Sequence, residues 1–242
     1  MDYAIAVDSH THTIASPDGY STVNEMAVAA SLVGLEALAI TDHAPALAAW
    51  TPELHFLNYG KLPRELEGVR MFYGVELDIM DSEGTVDLSE RALERQDVVI
   101  ASFHTMCTPA GTCEENTRAY LRAMANPHVN IIGHPDDGYI PVDFEQLVRG
   151  ARRTGVMIEV NESSVRTVPY RLDTAVNIRK ILELCRRYEV PVVLGTDAHH
   201  TSAVGCFDES LRALADVEFP PELVANSSVQ RYEGLLAASR IR

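Results

Sequence analysis

Long apolar runs and paired cysteines are missing from this chain of 242 residues. No segment approaches the roughly 18 consecutive apolar residues that a membrane span needs. The first residues also lack a basic stretch followed by an apolar one, which a secretory signal would have. The four cysteines form no C-x-x-C pair and no dense framework, which suits a reducing compartment. We therefore expect a cytoplasmic protein with no membrane association.

Basic residues are scarce as well: 20 Lys and Arg stand against 35 Asp and Glu, a formal charge of −15. Long nucleic acid and anionic membranes both require a basic surface, so neither is an expected partner. A small anionic substrate is still compatible with this charge, provided that something creates a strong local positive field. A cluster of metal ions would do so.

The chain also lacks a Gly/Ser-rich or Pro-rich linker, and its length suits one large domain, so we expect residues 1–242 to form a single domain. Seven apolar, β-branched-rich runs recur along it. They are near-continuous rather than alternating, which is typical of parallel strands covered on both faces. The predicted strands are 3–7, 36–41, 69–75, 97–103, 129–133, 156–160 and 191–196.

Helical patterns lie between and after these strands. The first begins at Thr22, a predicted N-cap with Glu25 at the capping-box position, and ends at Gly34. The others are predicted at 114–125, 143–155, 173–188, 208–217 and 228–239, with apolar residues at three- and four-residue spacing. Alternating strands and helices indicate an α/β protein with right-handed crossovers, and seven units favour a distorted (β/α)7 TIM-like barrel without an eighth strand.

The longest irregular stretch, 44–63, follows the second predicted strand and contains the only Trp. A loop of this length inside a domain is often a functional lid. An ordinary packed loop with no functional role explains this stretch equally well.

Metal-competent side chains follow six of the seven predicted strands. His10 and His12 in "DSHTHT" are two residues apart, so on extended backbone both rings project to the same side. Barrel enzymes have their active sites at the carboxyl ends of the strands, so all of these side chains are expected at one rim. They are His10, His12, Asp18, Asp42, His43, Glu76, His104, His134, Asp197 and His199.

Six of the nine histidines fit this pattern, whereas His55, His128 and His200 do not. Imidazole and carboxylate ligands suit zinc, manganese or iron better than magnesium or calcium. Nine of these residues, all but Asp42, are candidate ligands, and nine ligands exceed the coordination number of one ion. The pattern therefore predicts a site for two to three divalent transition metals.

The motifs "HTHT", "ITDH", "GVE", "SFH", "GHP" and "GTDAHH" resemble the polymerase and histidinol phosphatase (PHP) superfamily, over essentially the whole chain. Within it, "VNESS" and "FDESLRALADVEFPPELVANSS" are similar to the YcdX-type phosphatases. The resemblance implies the family's distorted barrel and three metals, with Asp18 in a place where YcdX-type relatives can have His. One metal would take His10, His12, Glu76 and Asp197, a second Glu76, His104 and His134, and a third Asp18, His43 and His199.

The reaction implied by this resemblance is hydrolysis of a phosphate monoester on a small substrate. A metal-bridging hydroxide, held by Glu76 with Asp197 and His199 adjacent, would attack phosphorus in line. Arg166 and Arg171 can supply a bidentate fork to the phosphate. Self-association into a homo-oligomer is suggested by the relatives alone.

Three alternatives remain open. An amidohydrolase also begins with H-x-H, but it needs a lysine at a strand end, and this chain has none there. A histidinol-phosphatase or nucleotide phosphoesterase of the same superfamily would use the same ligands on another substrate. A non-catalytic metal-binding or regulatory module would keep the ligands without turnover.

Overall fold

The protein is described by a computed structural model that covers residues 3–166 and 170–241. Seven parallel strands follow one another in chain order around a barrel, and one short antiparallel strand, β3, pairs with β4 outside it. The strands are β1 (Val7–Thr11), β2 (Ala37–Ile40), β3 (Glu65–Leu66), β4 (Val69–Asp78), β5 (Val98–Ser102), β6 (Ile131–Ile132), β7 (Met157–Asn161) and β8 (Val192–Gly195).

The first and last strands meet, so the sheet is nearly closed. Asp197 N donates to His10 O at 2.9 Å, and His12 N donates to Ala198 O at 2.9 Å. These bonds join β1 to the segment that follows β8. The predicted distorted seven-stranded barrel is therefore confirmed, and β3 lies outside the barrel path.

Nine α-helices lie within the described residues, and they include all six that the sequence pattern predicts. Thr22 caps the first through the expected capping box with Glu25. The helices are α1 (Val23–Leu32), α2 (Glu53–Leu57), α3 (Glu90–Leu93), α4 (Cys113–Ala123), α5 (Phe144–Thr154), α6 (Glu162–Val165), α7 (Thr174–Tyr188), α8 (Asp208–Asp216) and α9 (Val229–Ser239). In the part of the chain that the structure describes, no helix is long and apolar enough to cross a membrane.

The stretch 44–63 is more ordered than predicted. It contains α2 and a 3₁₀ turn at Tyr59–Lys61, and it buries Phe56 and Tyr59 in the main apolar core. Trp50 stays exposed, and Leu47 reaches the cavity described below. The segment is thus a packed part of the domain, and it contributes Leu47 to the lining of that cavity.

All seven predicted strands differ from the observed ones at one or both ends, and the largest shifts are in two strands near the site. Strand β1 is Val7–Thr11 instead of 3–7, because the backbone from Val7 onward pairs with β2, whereas Ala6 N donates to Asn226 O. Strand β4 extends to Asp78 because Gly74–Asp78 pairs with β5. Glu76 consequently lies within a strand ladder, paired with Ile100. His10 lies in the irregular part of β1 between Asp8 and Thr11, and its carbonyl accepts from Asp197 N.

The barrel interior changes from apolar to polar along each strand. Residues at alternate positions of a strand face inward. On β4, Phe72 belongs to the interior apolar cluster, and Glu76 lies four residues later on the same face. On β7, Met157 belongs to that cluster, and Glu159 lies two residues later on the same face. Tyr232 and Leu236 of α9 pack against the apolar end. The polar end is therefore the carboxyl rim.

Candidate metal centre

Six imidazoles and three carboxylates converge at this rim. Five of the nine residues are buried and three, His104, Asp197 and His199, are partly buried, whereas the side chain of Asp18 is 58% exposed. The set comprises all nine residues that the sequence predicts as ligands: His10, His12, Asp18, His43, Glu76, His104, His134, Asp197 and His199. The structure thus brings the predicted set together from loops and strands remote in sequence.

Glu76 lies at the centre of the group. Its Oε1 is 2.9 Å from His134 Nε2 and 3.4 Å from His104 Nε2. Its Oε2 is 2.9 Å from His43 Nδ1, and it also lies near both histidines of β1 and its extension, 3.4 Å from His10 Nε2 and 3.5 Å from His12 Nε2. One buried carboxylate is therefore shared by five imidazoles.

Asp197 and Asp18 flank this core on one side. Asp197 Oδ1 is 3.2 Å from His12 Nε2 and 3.6 Å from His199 Nδ1. Asp18 Oδ1 is 3.2 Å from His199 Nε2 and 3.8 Å from His43 Nε2. His199 thus stands between the two carboxylates.

The donor atoms fit divalent cations. Three groups have their ligand atoms within 4.8 Å of one another: His12 with His43 and His199, His10 with His12 and Glu76, and His43 with Glu76 and His104. The Nε2 atoms of His10 and His12 are only 2.9 Å apart. His43 Nδ1 and His199 Nε2 are buried without a well-formed hydrogen bond, although carboxylate oxygens lie nearby. A cation between these atoms would satisfy them.

Acceptors behind the rings orient several imidazoles. His10 Nδ1 is 2.7 Å from Glu159 Oε1, His104 Nδ1 is 2.7 Å from Asp78 Oδ1, and His199 Nδ1 is 2.8 Å from the Asp197 carbonyl oxygen. Such contacts leave Nε2 free for a metal. Glu159 and Asp78 are not among the residues predicted from the sequence pattern. The available signal was an acidic residue inside an otherwise apolar strand, in "VMIEV" and "GVELDI".

The charges of the group favour cation binding. Burial opposes ionisation of Glu76, but the charges of His10 and His104 hold the pKa of Glu76 well below its usual range. Burial also disfavours the imidazolium of His104, yet Glu76 and Asp78 raise the pKa of His104 to about 10. Burial and neighbouring imidazoles lower the pKa of His12 to about 3. The centre therefore keeps its carboxylates ionised, and a bound cation would displace protons.

A cavity of about 610 Å³ opens onto the centre. Arg171 lines it with an 11% exposed side chain; its Nη2 is 3.9 Å from Asp197 Oδ2, and its buried Nη1 has no hydrogen-bond partner. Arg166, the other predicted anion-binding residue, does not line this large cavity. Its Nε donates to Glu162 Oε1 at 3.0 Å, and it lines a smaller cavity together with Asp197 and Cys206.

The histidines outside the predicted set take other positions. His128 pairs with Glu90 on the surface, and His55 contacts Tyr59. His200 lies at the edge of the large cavity. Asp42, the tenth residue predicted at the strand ends, accepts from Thr13 N at 2.7 Å, and its Oδ2 lies 3.9 Å from His55 Nε2.

The fold and this site define a parallel barrel protein with a His/Glu cluster that can bind metals. The family model described as "PHP domain" matches residues 8–163, and the chain belongs to that family. A "Probable phosphatase" of Acetivibrio thermocellus is 41% identical over 236 residues, covering 98% of this chain and 97% of that protein. Another, of Syntrophotalea carbinolica, is 41% identical over 225 residues, covering 93% and 92%.

A solved structure shares the fold at low sequence identity. Histidinol phosphate phosphatase from Lactococcus lactis, complexed with zinc, L-histidinol and phosphate, superposes with a TM-score of 0.59 at 16% identity, covering 90% of this chain and 95% of that one. At this identity the likeness concerns the barrel alone.

Proposed function

We propose that this protein is a metal-dependent phosphomonoesterase acting on a small phosphorylated substrate. The observation that carries the proposal is the single buried carboxylate of Glu76 within 3.5 Å of five imidazole nitrogens. Whole-length relatives that carry the name "Probable phosphatase" support the reaction class.

Two to three divalent transition metals, of which we favour three, would occupy the centre. The ligands proposed for the first are His10, His12, Glu76 and Asp197; for the second, Glu76, His104 and His134; for the third, Asp18, His43 and His199. Zinc, manganese and iron all suit this mixture of nitrogen and carboxylate ligands. Zinc is also the metal in the structurally similar histidinol phosphate phosphatase.

The bound metals would supply a hydroxide nucleophile at neutral pH for in-line attack on phosphorus, together with Lewis-acid stabilisation of the phosphoryl oxygens. The chain's own residues arrange this chemistry. Glu76 holds the ligands together, and Asp197 and His199 stand beside it, facing the cavity. Six positive charges from three ions would exceed the three negative charges of Asp18, Glu76 and Asp197, so a phosphate dianion is attracted despite the acidic surface.

Arg171 is the protein group that we propose for binding phosphate. Its guanidinium is nearly buried, lines the cavity and carries a nitrogen with no hydrogen-bond partner. Two parallel N–H bonds to phosphoryl oxygens would satisfy that nitrogen and orient the anion. Arg166 is already engaged by Glu162.

The outer part of the cavity would receive the leaving group. Leu47, Phe103, Met106 and Tyr170 form an apolar wall there, and Met106 and Tyr170 are strongly exposed. Among the described residues, Arg171 is the only Lys or Arg lining this cavity. An uncharged organic leaving group therefore fits better than one with a second phosphate. Histidinol phosphate and nucleotides are the alternatives within this reaction class.

The same proposal covers the domain organisation, the location and the partners of the protein. Residues 1–242 would act as one phosphoesterase domain in the cytoplasm, without long nucleic acid or membrane as partners. Self-association into a homo-oligomer is left open.

The test is hydrolysis of p-nitrophenyl phosphate by purified protein, with and without a chelator. We expect turnover that the chelator abolishes, that added metal restores and that His10→Ala and Glu76→Ala abolish. Tight metal binding without turnover on a panel of phosphate monoesters would instead support a non-catalytic metal-binding module. Metal-independent turnover would contradict the proposal.

A further inference from the structure

The hydroxyl of Ser16 stands behind the ring of His12, on the side away from the metal centre. Ser16 is buried, and its Oγ has three polar neighbours. His43 N donates to it at 3.1 Å, Asp42 Oδ1 lies 2.7 Å away, and His12 Nδ1 lies 3.0 Å away. His12 therefore has a hydroxyl where His10 and His104 have a carboxylate.

A serine hydroxyl has one hydrogen to donate and two lone pairs to accept with. A carboxylate oxygen offers no hydrogen, so the Ser16 hydrogen must be donated to Asp42. Both lone pairs then accept, one from His43 N and one from His12. Every hydrogen-bonding position of the hydroxyl is filled only if His12 carries its hydrogen on Nδ1.

The tautomer with hydrogen on Nδ1 leaves a lone pair on Nε2. That atom faces the centre, 3.2 Å from Asp197 Oδ1 and 3.5 Å from Glu76 Oε2. The opposite tautomer would point a hydrogen at the position where a metal ligand needs its lone pair.

Asp42 is itself held in place. Thr13 N donates to its Oδ1 at 2.7 Å and Thr13 Oγ1 donates to its Oδ2 at 2.8 Å, and the residue is buried. Its orientation is thus set by the backbone that follows β1. The acid of "ITDH" therefore hydrogen-bonds to Thr13 and Ser16.

We propose that Asp42 and Ser16 are positioning residues that act as a relay to set the Nδ1–H tautomer of His12. Asp42 accepts a hydrogen bond from the Ser16 hydroxyl, and the Ser16 oxygen accepts one from the Nδ1–H of His12. The proposal rests on the proposed function in one respect, that His12 is a metal ligand. It adds two residues that do not themselves touch metal or substrate.

The direct test is the tautomer of His12 in metal-free protein, read from long-range ¹H–¹⁵N correlation spectra of the imidazoles. Wild type should show hydrogen on Nδ1. Ser16→Ala removes the acceptor, and we expect His12 to move toward the tautomer with hydrogen on Nε2, which can donate to Asp197. Asp42→Ala should shift it in the same direction, because the Ser16 hydroxyl is then free to donate to His12.

Asp42→Asn is the conservative variant. Its amide oxygen must occupy the Oδ1 position to accept from Thr13 N, so it still accepts from Ser16 and should keep the wild-type tautomer. Ser9→Ala is a matched control on β1, the strand that precedes His12, since the buried Ser9 hydroxyl donates to Leu194 O and not to an imidazole.

Zinc affinity, measured by competition with a chromogenic chelator, is the second readout. We expect Ser16→Ala and Asp42→Ala to weaken zinc binding by about 10- to 100-fold, and Asp42→Asn and Ser9→Ala to change it by less than about threefold. Circular dichroism establishes that each variant is folded.

Two results would overturn the relay. One is a His12 tautomer that is unchanged in folded Ser16→Ala. The other is a zinc affinity that falls in Asp42→Ala without any change of tautomer, which would make Asp42 a structural residue only. If wild type shows Nδ1–H on His12 but binds no zinc, the proposed function fails while the relay stands.

Discussion

Two arginines that look equivalent in sequence differ sharply in their surroundings. Arg166 and Arg171 both lie in "NESSVRTVPYRLD", and either can form a fork to phosphate. Arg171 lines the large cavity that opens onto the metal centre, whereas Arg166 lines a smaller neighbouring cavity, is half exposed and is paired with Glu162. Their substitution therefore gives a matched pair of variants.

We expect Arg171→Ala to lower kcat/KM for p-nitrophenyl phosphate by about 100- to 1,000-fold, the usual effect of removing one donor to a charged transition state. Steady-state kinetics on metal-loaded protein measures it. Arg166→Ala should change kcat/KM by less than about threefold. Equal losses in the two variants would contradict the role given to Arg171.

Asp87 is a partly buried carboxyl outside the ligand set, and its protonation should be visible in the stability of the protein. Burial and the nearby Asp78 carboxylate raise the pKa of Asp87 to about 6, although it accepts from Ala46 N and Asp78 N. Because the folded pKa exceeds the unfolded value of about 3.9, the native state binds the proton more tightly. The resulting stability is fully present below about pH 4 and is lost as pH rises through about 6.

Comparison with Asp87→Asn isolates this effect. Between pH 4 and pH 8, the free energy of unfolding of the wild type should fall by about 2 kcal/mol relative to that of the variant. Urea denaturation with a chelator present measures both proteins. A difference that is constant with pH, or that moves in favour of the wild type, would show that folding does not raise the pKa of Asp87.

At the scale of the elements, the carboxyl ends of the strands bring the site residues together. Small residues at these ends leave space for the ligand side chains and their hydrogen-bond partners. Gly195 at the end of β8 is one of these. A Cβ at this position would lie 2.5 Å from Glu159 Oε1 and 2.6 Å from His10 Cβ. Glycine thus permits the ion pair between His10 and Glu159 to form inside the barrel.

Gly195→Ala should therefore destabilise the protein by about 2–3 kcal/mol, the cost of overpacking a filled interior, and should weaken zinc binding by moving His10. Gly234→Ala is the control, since nothing lies within 4 Å of a Cβ there and the residue is inside α9. It should be neutral or stabilising by up to about 1 kcal/mol. Urea denaturation separates the two, and an equally stable Gly195→Ala would refute the packing argument.

The sequence predicts an element well when the interactions that form it join residues close together in the chain. The capping box of Thr22 and Glu25 is one example, and the apolar runs that become strands are another. Other features depend on remote partners: the start of β1 is set by pairing with β2 and the segment after β8, and α2 forms because Phe56 enters the core. No local pattern contains that information.

The same division holds for the site. The ligand types and their positions after strands are visible in the sequence, so the converging set could be predicted. The orienting contacts of Glu159, Asp78 and Asp42 could not, because each joins strands that are far apart in the chain. The difference between Arg166, which pairs with Glu162, and Arg171, which lines the large cavity, also depends on contacts made only in the folded protein.

At the scale of the whole molecule, an acidic chain of charge −15 concentrates its electron-pair donors at one rim of a barrel. Closure of β1 against the segment after β8 brings His10 and His12 next to Asp197. The barrel thereby makes a site that can reverse the sign of the local field once cations bind. Recognition of an anion then requires no basic surface.

The central claim is that several cations occupy this rim together. The most direct measurement is elemental analysis of protein that has been stripped, reloaded with zinc or manganese and freed of excess metal. The account predicts two to three equivalents per chain, falling in Glu76→Ala. Fewer than two equivalents under every loading condition would contradict it.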